Sequence, residues 1–159
     1  GWLQLISNQC RYNLLFRRIE DDIVPMCLSE NIGLLTYNPL AGGLLTGKYN
    51  VGENPAIGTR FDIGGPLYRQ RYWNESCFNA VQKYILYCKK TEKNPITAAI
   101  RWVLQQPGVS SVLIGARLPE QLDASISAIF DDSELSEEDL RIMGELWFDL
   151  PRHKDDLIH

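Results

Sequence analysis

Gly42 to Lys48 reads GGLLTGK, the G-x-x-x-x-G-K spacing of a phosphate-cradling loop. Such a loop needs Ser or Thr next, to hold magnesium, and a helix beginning there. Tyr49 occupies that place, Asn50-Val51-Gly52 continues as loop, and no later strand ends in an acidic residue able to complete a magnesium site. These residues argue against a P-loop and leave a Gly-rich turn at a strand end. Metal chemistry has as little to work with. Cys10, Cys27, Cys77 and Cys88 are scattered without a C-x-x-C pair, and the only histidines, His153 and His159, sit in the tail. A zinc site needs clustered ligands, so no metal is expected, and the cysteines read as reduced thiols of a cytoplasmic protein.

The whole chain restricts the remaining chemistry. Its 159 residues fit one domain, 45% apolar content excludes disorder, and a formal net charge of -4 argues against a nucleic-acid partner. No apolar run approaches the ~18 residues of a membrane span. GWLQLISNQC lacks a basic region before an apolar stretch, so no signal peptide is expected. With aromatic and aliphatic residues from Trp2 onward, it reads as starting inside a folded element.

Strands and helices alternate along the chain. Leu5 to Tyr12 contains a short strand with Gln9 at or just past its C-terminal end. Arg17 to Glu30 carries Ile19, Ile23 and Cys27 on one helical face, with a kink expected at Pro25 and a stop at Asn31 to Gly33. Gly33 to Tyr37 is a buried strand ended by Asn38-Pro39. Asn50 to Pro66 reads as a long loop, followed by a helix with Phe78, Val81, Ile85 and Cys88 on one face. Asn94-Pro95 is an N-cap with proline in the first turn, opening a helix with Ile96, Ala99, Ile100, Val103 and Leu104 inward and a stop at Pro107-Gly108. Ser111 to Ile114 is a third strand. Pro119 starts a helix with Leu122, Ile126 and Phe130 inward, and Ser136 with Asp139 opens a last one with Leu140, Met143 and Trp147. Alternation of this kind predicts a parallel α/β sheet, whose ligands gather at the C-terminal strand ends. Only three strands are expected, which leaves two bare edges and a sheet that looks incomplete.

Three motifs at those strand ends resemble the aldo-keto reductase superfamily, and within it the aflatoxin aldehyde reductase branch. They are NQCRYNLL (Asn8 to Leu15), YNPLAGGLLTGKY (Tyr37 to Tyr49) continuing into RFDIGGPLYRQRYW (Arg60 to Trp73), and VLIGARLPEQL (Val112 to Leu122). The resemblance implies the C-terminal part of a (β/α)8 TIM barrel, about strands six to eight. It implies NADP(H) as cofactor, with Gln9 on the nicotinamide carboxamide and Tyr37 stacked under the ring. Asn38, Pro39, Leu40 and Gly42 would approach the pyrophosphate, with Lys48 and Arg60 adding positive charge. Gly115, Arg117 and Gln121 would hold the 2′-phosphate and adenine, the planar fork of Arg117 favouring NADP over NAD. Tyr68 and Arg71 fall where relatives reach a carbonyl- or carboxylate-bearing substrate.

The sequence also departs from the family. After Glu120-Gln121-Leu122 the family places an acidic residue and an asparagine on the adenine, where this chain has Ala124 and Ser125. Losing both would remove hydrogen bonds of about 0.5–1.5 kcal/mol each. No catalytic residue is assigned, because the Asp, Tyr, Lys and His that protonate the carbonyl in such enzymes come from the barrel's first half. Adjacent Lys48 and Tyr49 do not replace a lysine and tyrosine converging from separate strands. The expected function is thus the cofactor-binding half of an NADPH-dependent reductase of aldehydes or ketones, inactive in isolation. Two other readings stand beside it: a non-catalytic partner subunit resembling potassium-channel β subunits, and a half-barrel that self-associates through its bare edges.

Overall fold

The computed structural model describes residues 4–130 and 134–151, apart from the side chain of Leu67. Trp2, His153 and His159 lie outside the described residues. A parallel three-stranded sheet in the order β1 (Ser7–Arg11), β2 (Gly33–Tyr37), β3 (Val109–Leu113) lies at the centre. Side chains alternate across a strand, so Cys10, Leu34, Thr36 and Val112 point to one face and Gln9, Arg11, Leu35, Tyr37, Ser111 and Leu113 to the other. The first set is buried or nearly so beneath helices. The second is largely open, with Gln9, Ser111 and Leu113 exposed. Among the described residues β1 and β3 each pair on one side only.

The β2–β3 register slips between Leu34 and Leu35: Leu34 pairs with Val109, but Leu35 pairs with Ser111. Ser110 is the extra residue, a β-bulge. Its side chain takes the space beside Gly33, where an added Cβ would lie 2.8 Å from the Ser110 Oγ.

Local chemistry starts the helices. Helix α1 (Ile23–Ser29) is capped by Asp22, whose carboxylate accepts from the Ile23 N–H at 2.7 Å. The expected continuous helix from Arg17 is interrupted: a 3₁₀ turn at Arg18–Glu20 precedes it, and the break falls at Asp21-Asp22. Pro25 is the third residue of α1, where its missing N–H has no intrahelical role, so no kink is needed. The stretch read as loop holds two short helices, α2 (Arg60–Ile63) and the start of α3 (Gly65–Tyr72), with Pro66 in the first turn of the latter. Asn74 caps α4 (Glu75–Lys90) through the Cys77 N–H at 2.9 Å, and Asn94 caps α5 (Pro95–Leu104) through Ile96 and Thr97.

Strand β3 begins two residues earlier than expected. Helix α6 (Pro119–Phe130) turns a different face inward: Ser125 and Ala128 are buried, whereas Leu122 and Phe130 are exposed. Small residues let α6 lie close on α5, so the larger ones are displaced outward. Helix α7 (Glu137–Glu145) has the expected capping box, with the Asp139 N–H donating to Ser136 Oγ at 3.1 Å and Ser136 to Asp139.

One core joins these layers, with Leu14, Cys27, Leu34, Ala99, Val103 and Trp102 at or near zero exposure. All four cysteines are buried, and none forms a disulfide. Burial pushes the thiols of Cys10, Cys27 and Cys88 above the ordinary range, which makes them poor nucleophiles.

Candidate functional site: the open strand ends

The chain leaving β2 at Tyr37 turns through a compact loop stabilised by its own polar groups. Asn38 takes a left-handed conformation (φ 63°), tolerated because its short amide bonds locally. Its Oδ1 accepts from the Gly42 N–H at 2.7 Å and from the Tyr68 hydroxyl at 3.3 Å, while its Nδ2 donates to the Tyr72 hydroxyl at 3.1 Å. Asn13, fully buried, donates to the Asn38 carbonyl and to the same hydroxyl. The Gly42 N–H and the Asn38 side-chain amide are thus engaged inside the loop. Gly42 is glycine for a steric reason, since at φ 69° a Cβ would lie 2.6 Å from the Tyr68 hydroxyl oxygen. Pro39 is buried and Leu40 half-buried, so both act chiefly as supports.

Gln9 lies in the middle of β1, paired with Leu35, not at the strand's C-terminal end. It remains exposed on the open face, one row below Tyr37, which ends β2 between Arg11 and Leu113. A ligand lying flat on this face would meet the Gln9 amide and the Tyr37 ring together.

Three cations stand in the segments that follow the strands, Lys48 and Arg60 after β2 and Arg117 after β3. Lys48 folds back so that its Nζ would lie 3.3 Å from a Cβ at Gly43 and sits 5.0 Å from the Tyr49 ring centroid. The hydration it loses there, and then the nearby Arg117 charge, lower its pKa. Arg60 rests over the Tyr68 ring at 4.8 Å. Arg117 donates through Nη1 to the Gly58 carbonyl at 2.5 Å, tying the 58 loop to the end of β3. Among the described residues none of the three has a carboxylate within ion-pair distance. Positive charges in neighbouring loops suit a polyanion, and in this respect the residues fit a dinucleotide phosphate group, with one carboxylate nearby, that of Asp62, accepting from the Gly58 N–H at 2.7 Å.

Gln121 braces the loop that carries Arg117. Its Oε1 accepts from the Arg117 N–H at 3.0 Å, closing the turn after β3. Gly115 is exposed, and a Cβ added to it would meet nothing within 4 Å, so its backbone is open to a ligand. Ser125 is buried and bonds back to the Gln121 carbonyl at 2.9 Å, so it faces the helix layer. Tyr68 joins the site through Asn38, whereas Arg71 lies exposed on α3.

Lys48 and Tyr49 do not form an acid pair. The Tyr49 ring packs edge-on against Phe61 at 5.3 Å and Trp73 at 5.1 Å, and burial raises its pKa, the reverse of an activated proton donor. Two buried groups escape a reading of the sequence, Asn13 and Tyr72, because the hydrogen bond joining them spans 59 residues. The Y-N of the first motif is the available signal.

The model of the aldo/keto reductase family matches residues 1–147. This chain belongs to the aldo/keto reductase family. Members use a nicotinamide dinucleotide, NAD(P)H. An aldo-keto reductase of Babesia bovis is 34% identical over 151 residues, covering 90% of this chain and 52% of that protein. The human aflatoxin B1 aldehyde reductase member 2 is 33% identical, covering 80% of this chain and 39% of its own length. Among solved structures, the glycerol dehydrogenase AKR11B4 from Gluconobacter oxydans superposes with a TM-score of 0.70 at 28% identity, over 93% of this chain and 45% of that one. This aldo/keto reductase chain thus spans about half the length, or less, of the relatives it matches. Among its described residues no helix is long and apolar enough to cross a membrane, and no three metal-ligating side chains cluster.

Proposed function

We propose that this aldo/keto reductase chain supplies strands six to eight of a (β/α)8 barrel and forms the cofactor-holding part of a cytoplasmic, NADPH-dependent reductase of aldehydes or ketones. The observation that carries the reading is that Lys48, Arg60 and Arg117, none ion-paired among the described residues, stand in the segments after β2 and β3, the strands whose sheet has an open face bearing Gln9 and Tyr37. Bound NADPH would supply the hydride. Gln9 and Tyr37 would orient the nicotinamide, Lys48 and Arg60 would neutralise the diphosphate, and Arg117 the 2′-phosphate. Tyr68 and Arg71 would border the carbonyl substrate. The preference for NADP rests on Arg117, since an Escherichia coli relative 29% identical is named an NADH-specific methylglyoxal reductase.

The chain by itself is proposed to be inactive, because its motifs resemble only the cofactor-holding part of the family's barrel and Lys48 with Tyr49 forms no activated proton donor. A second reading has support of its own. A Schizosaccharomyces pombe relative, 30% identical, is named a putative voltage-gated potassium channel subunit beta, so a partner-subunit role is the alternative. Fluorescence titration with NADPH and NADH tests the cofactor role. Wild type should bind NADPH more weakly than micromolar and in preference to NADH, and Arg117→Met should weaken NADPH about tenfold while leaving NADH unchanged. Equal loss for both cofactors would refute the 2′-phosphate role, and turnover of 4-nitrobenzaldehyde by the 159-residue chain would refute its inactivity.

A further inference from the structure

The backbone after Tyr37 keeps a conformation that ordinary side chains disfavour. Asn38 and Ala41 are both left-handed, at φ 63° and 49°, and Gly42 follows at 69°. Alanine has no polar side chain to ease that conformation, so the surroundings must hold it there. The carbonyls on either side of the first bend are pinned from the end of β1. The Tyr12 N–H donates to the Tyr37 carbonyl at 3.2 Å, and the Asn13 amide donates to the Asn38 carbonyl at 3.0 Å.

Tyr72 is where these restraints meet. Its hydroxyl oxygen accepts from the Asn13 amide and from the Asn38 amide, each at 3.1 Å. Asn13 is fully buried and its amide has no freedom left, because its oxygen also accepts from the Leu15 N–H at 3.0 Å. Burial pushes the Tyr72 pKa up to about 12, so the hydroxyl stays neutral and accepts from both amides. Packing against the Phe61 and Tyr68 rings, at 6.4 and 5.9 Å, needs only the ring of Tyr72. The buried hydroxyl adds direction: it fixes how the end of β1 and the turn after β2 face each other.

Position selects what that direction serves. Tyr72 is 1% exposed, so it acts on a ligand only through another residue. Asn38, which it holds, directly follows Tyr37, whose side chain points to the open face with Gln9. Arg117 is fixed by different partners, the Gly58 carbonyl and the Gln121 side chain. The two ends of a dinucleotide on this face would therefore depend on separate sets of bonds.

We propose that Tyr72 is a positioning residue for the nicotinamide: together with Asn13 it fixes the backbone at Asn38, and through it the Tyr37 ring on which the nicotinamide stacks. This rests on the reading of the open face as the cofactor site. The test compares NADPH with adenosine 2′,5′-bisphosphate, which carries the adenine half and no nicotinamide, both titrated calorimetrically. Tyr72→Phe should weaken NADPH about 3–10-fold, as when only about 10–30% of molecules keep the competent turn. The bisphosphate should change by less than about twofold, because its cation is held independently. Tyr37→Ala should weaken NADPH, and adding Tyr72→Phe to it should cost nothing further. With Tyr37→Phe, which keeps a ring, the Tyr72→Phe loss should return. In wild type, whose fold needs no variant, NADPH should shift the buried Asn13 side-chain amide resonances and the bisphosphate should not. Equal losses for both probes, additive losses in the double variant, an unchanged NADPH affinity in Tyr72→Phe, or no shift at Asn13 each overturn the proposal. An NADPH affinity untouched by Tyr37→Ala would instead remove the cofactor reading of the face, and this role with it.

Discussion

The two faces of the sheet share one backbone and obey different rules. On the covered face, Leu34 and Thr36 are fully buried, and Thr36 finds an acceptor in the Ser111 carbonyl at 3.3 Å. Each side chain there is matched to helices of the same chain. On the open face, Gln9 and Ser111 stand exposed, Tyr37 is half-buried, and Arg11 is buried without polar partners among the described residues. The covered face is closed over by helices of the same chain, while the open face has no such cover among the described residues. The core residues and the residues proposed to meet the cofactor thus occupy opposite sides of the same strands.

The most damaging test of this contrast is Leu34→Ala. Removing a fully buried side chain from the covered face should lower stability by about 2–5 kcal/mol in urea denaturation. A loss below about 1 kcal/mol would mean that the helix layer is not a self-sufficient core.

A smaller effect should come from Asp139, which ties α7 to α4 on the covered side. Its carboxylate accepts from Tyr87 at 2.6 Å and pairs with Lys93 at 3.3 Å. Burial alone would raise its pKa, but the bonds from Tyr87, Ser136 and Lys93 outweigh that and hold it at about 2. A depressed carboxylate pKa means that its stabilisation is present above the unfolded value of about 3.9 and disappears as pH falls through about 2. Asp139→Asn should therefore cost about 1–2 kcal/mol at neutral pH and converge with wild type below pH ~2. Thermal melts across that range check it, and a constant offset at every pH would count against the ion-pair account.

The least effect on stability belongs to the open face. Gln9→Ala should alter unfolding by no more than about 0.5 kcal/mol while reducing NADPH affinity several-fold. A large stability loss there would erase the contrast between the faces.

What can be read from the sequence follows the same division. Strand β2 has the bounds its apolar run predicts, Gly33–Tyr37, and the caps at Asn94 and Ser136 are where local side-chain chemistry requires them. These features depend on neighbours within a few residues. Helix α6 departs from its pattern because an apolar triplet at helical spacing marks a face, but the close packing of α5 selects the small-residue one. The break before Pro25 is invisible to periodicity because Asp22 competes for the first N–H of α1, a capping effect rather than a proline effect. In the site, residue types are legible and their bonds are not. Asn38 and Gly42 stand out in the motif, yet only the return of Tyr68 and Tyr72 from α3 shows that they brace the loop internally. Arg11 gives no signal, because an arginine at a strand end looks the same paired or unpaired.

The bulge at Ser110 has a consequence for parity. With an uninterrupted ladder, Tyr37 would stand beside Val112 rather than Leu113, and the chain would leave β3 half a pleat out of phase. The turn bearing Gly115 and Arg117 would then start from the wrong side of the sheet. Ser110 sets that phase, and the bare Cα of Gly33 makes room for it. The two positions, far apart in sequence, therefore act as one inherited unit: a homologue that gains a side chain at the first should have lost the extra residue at the second.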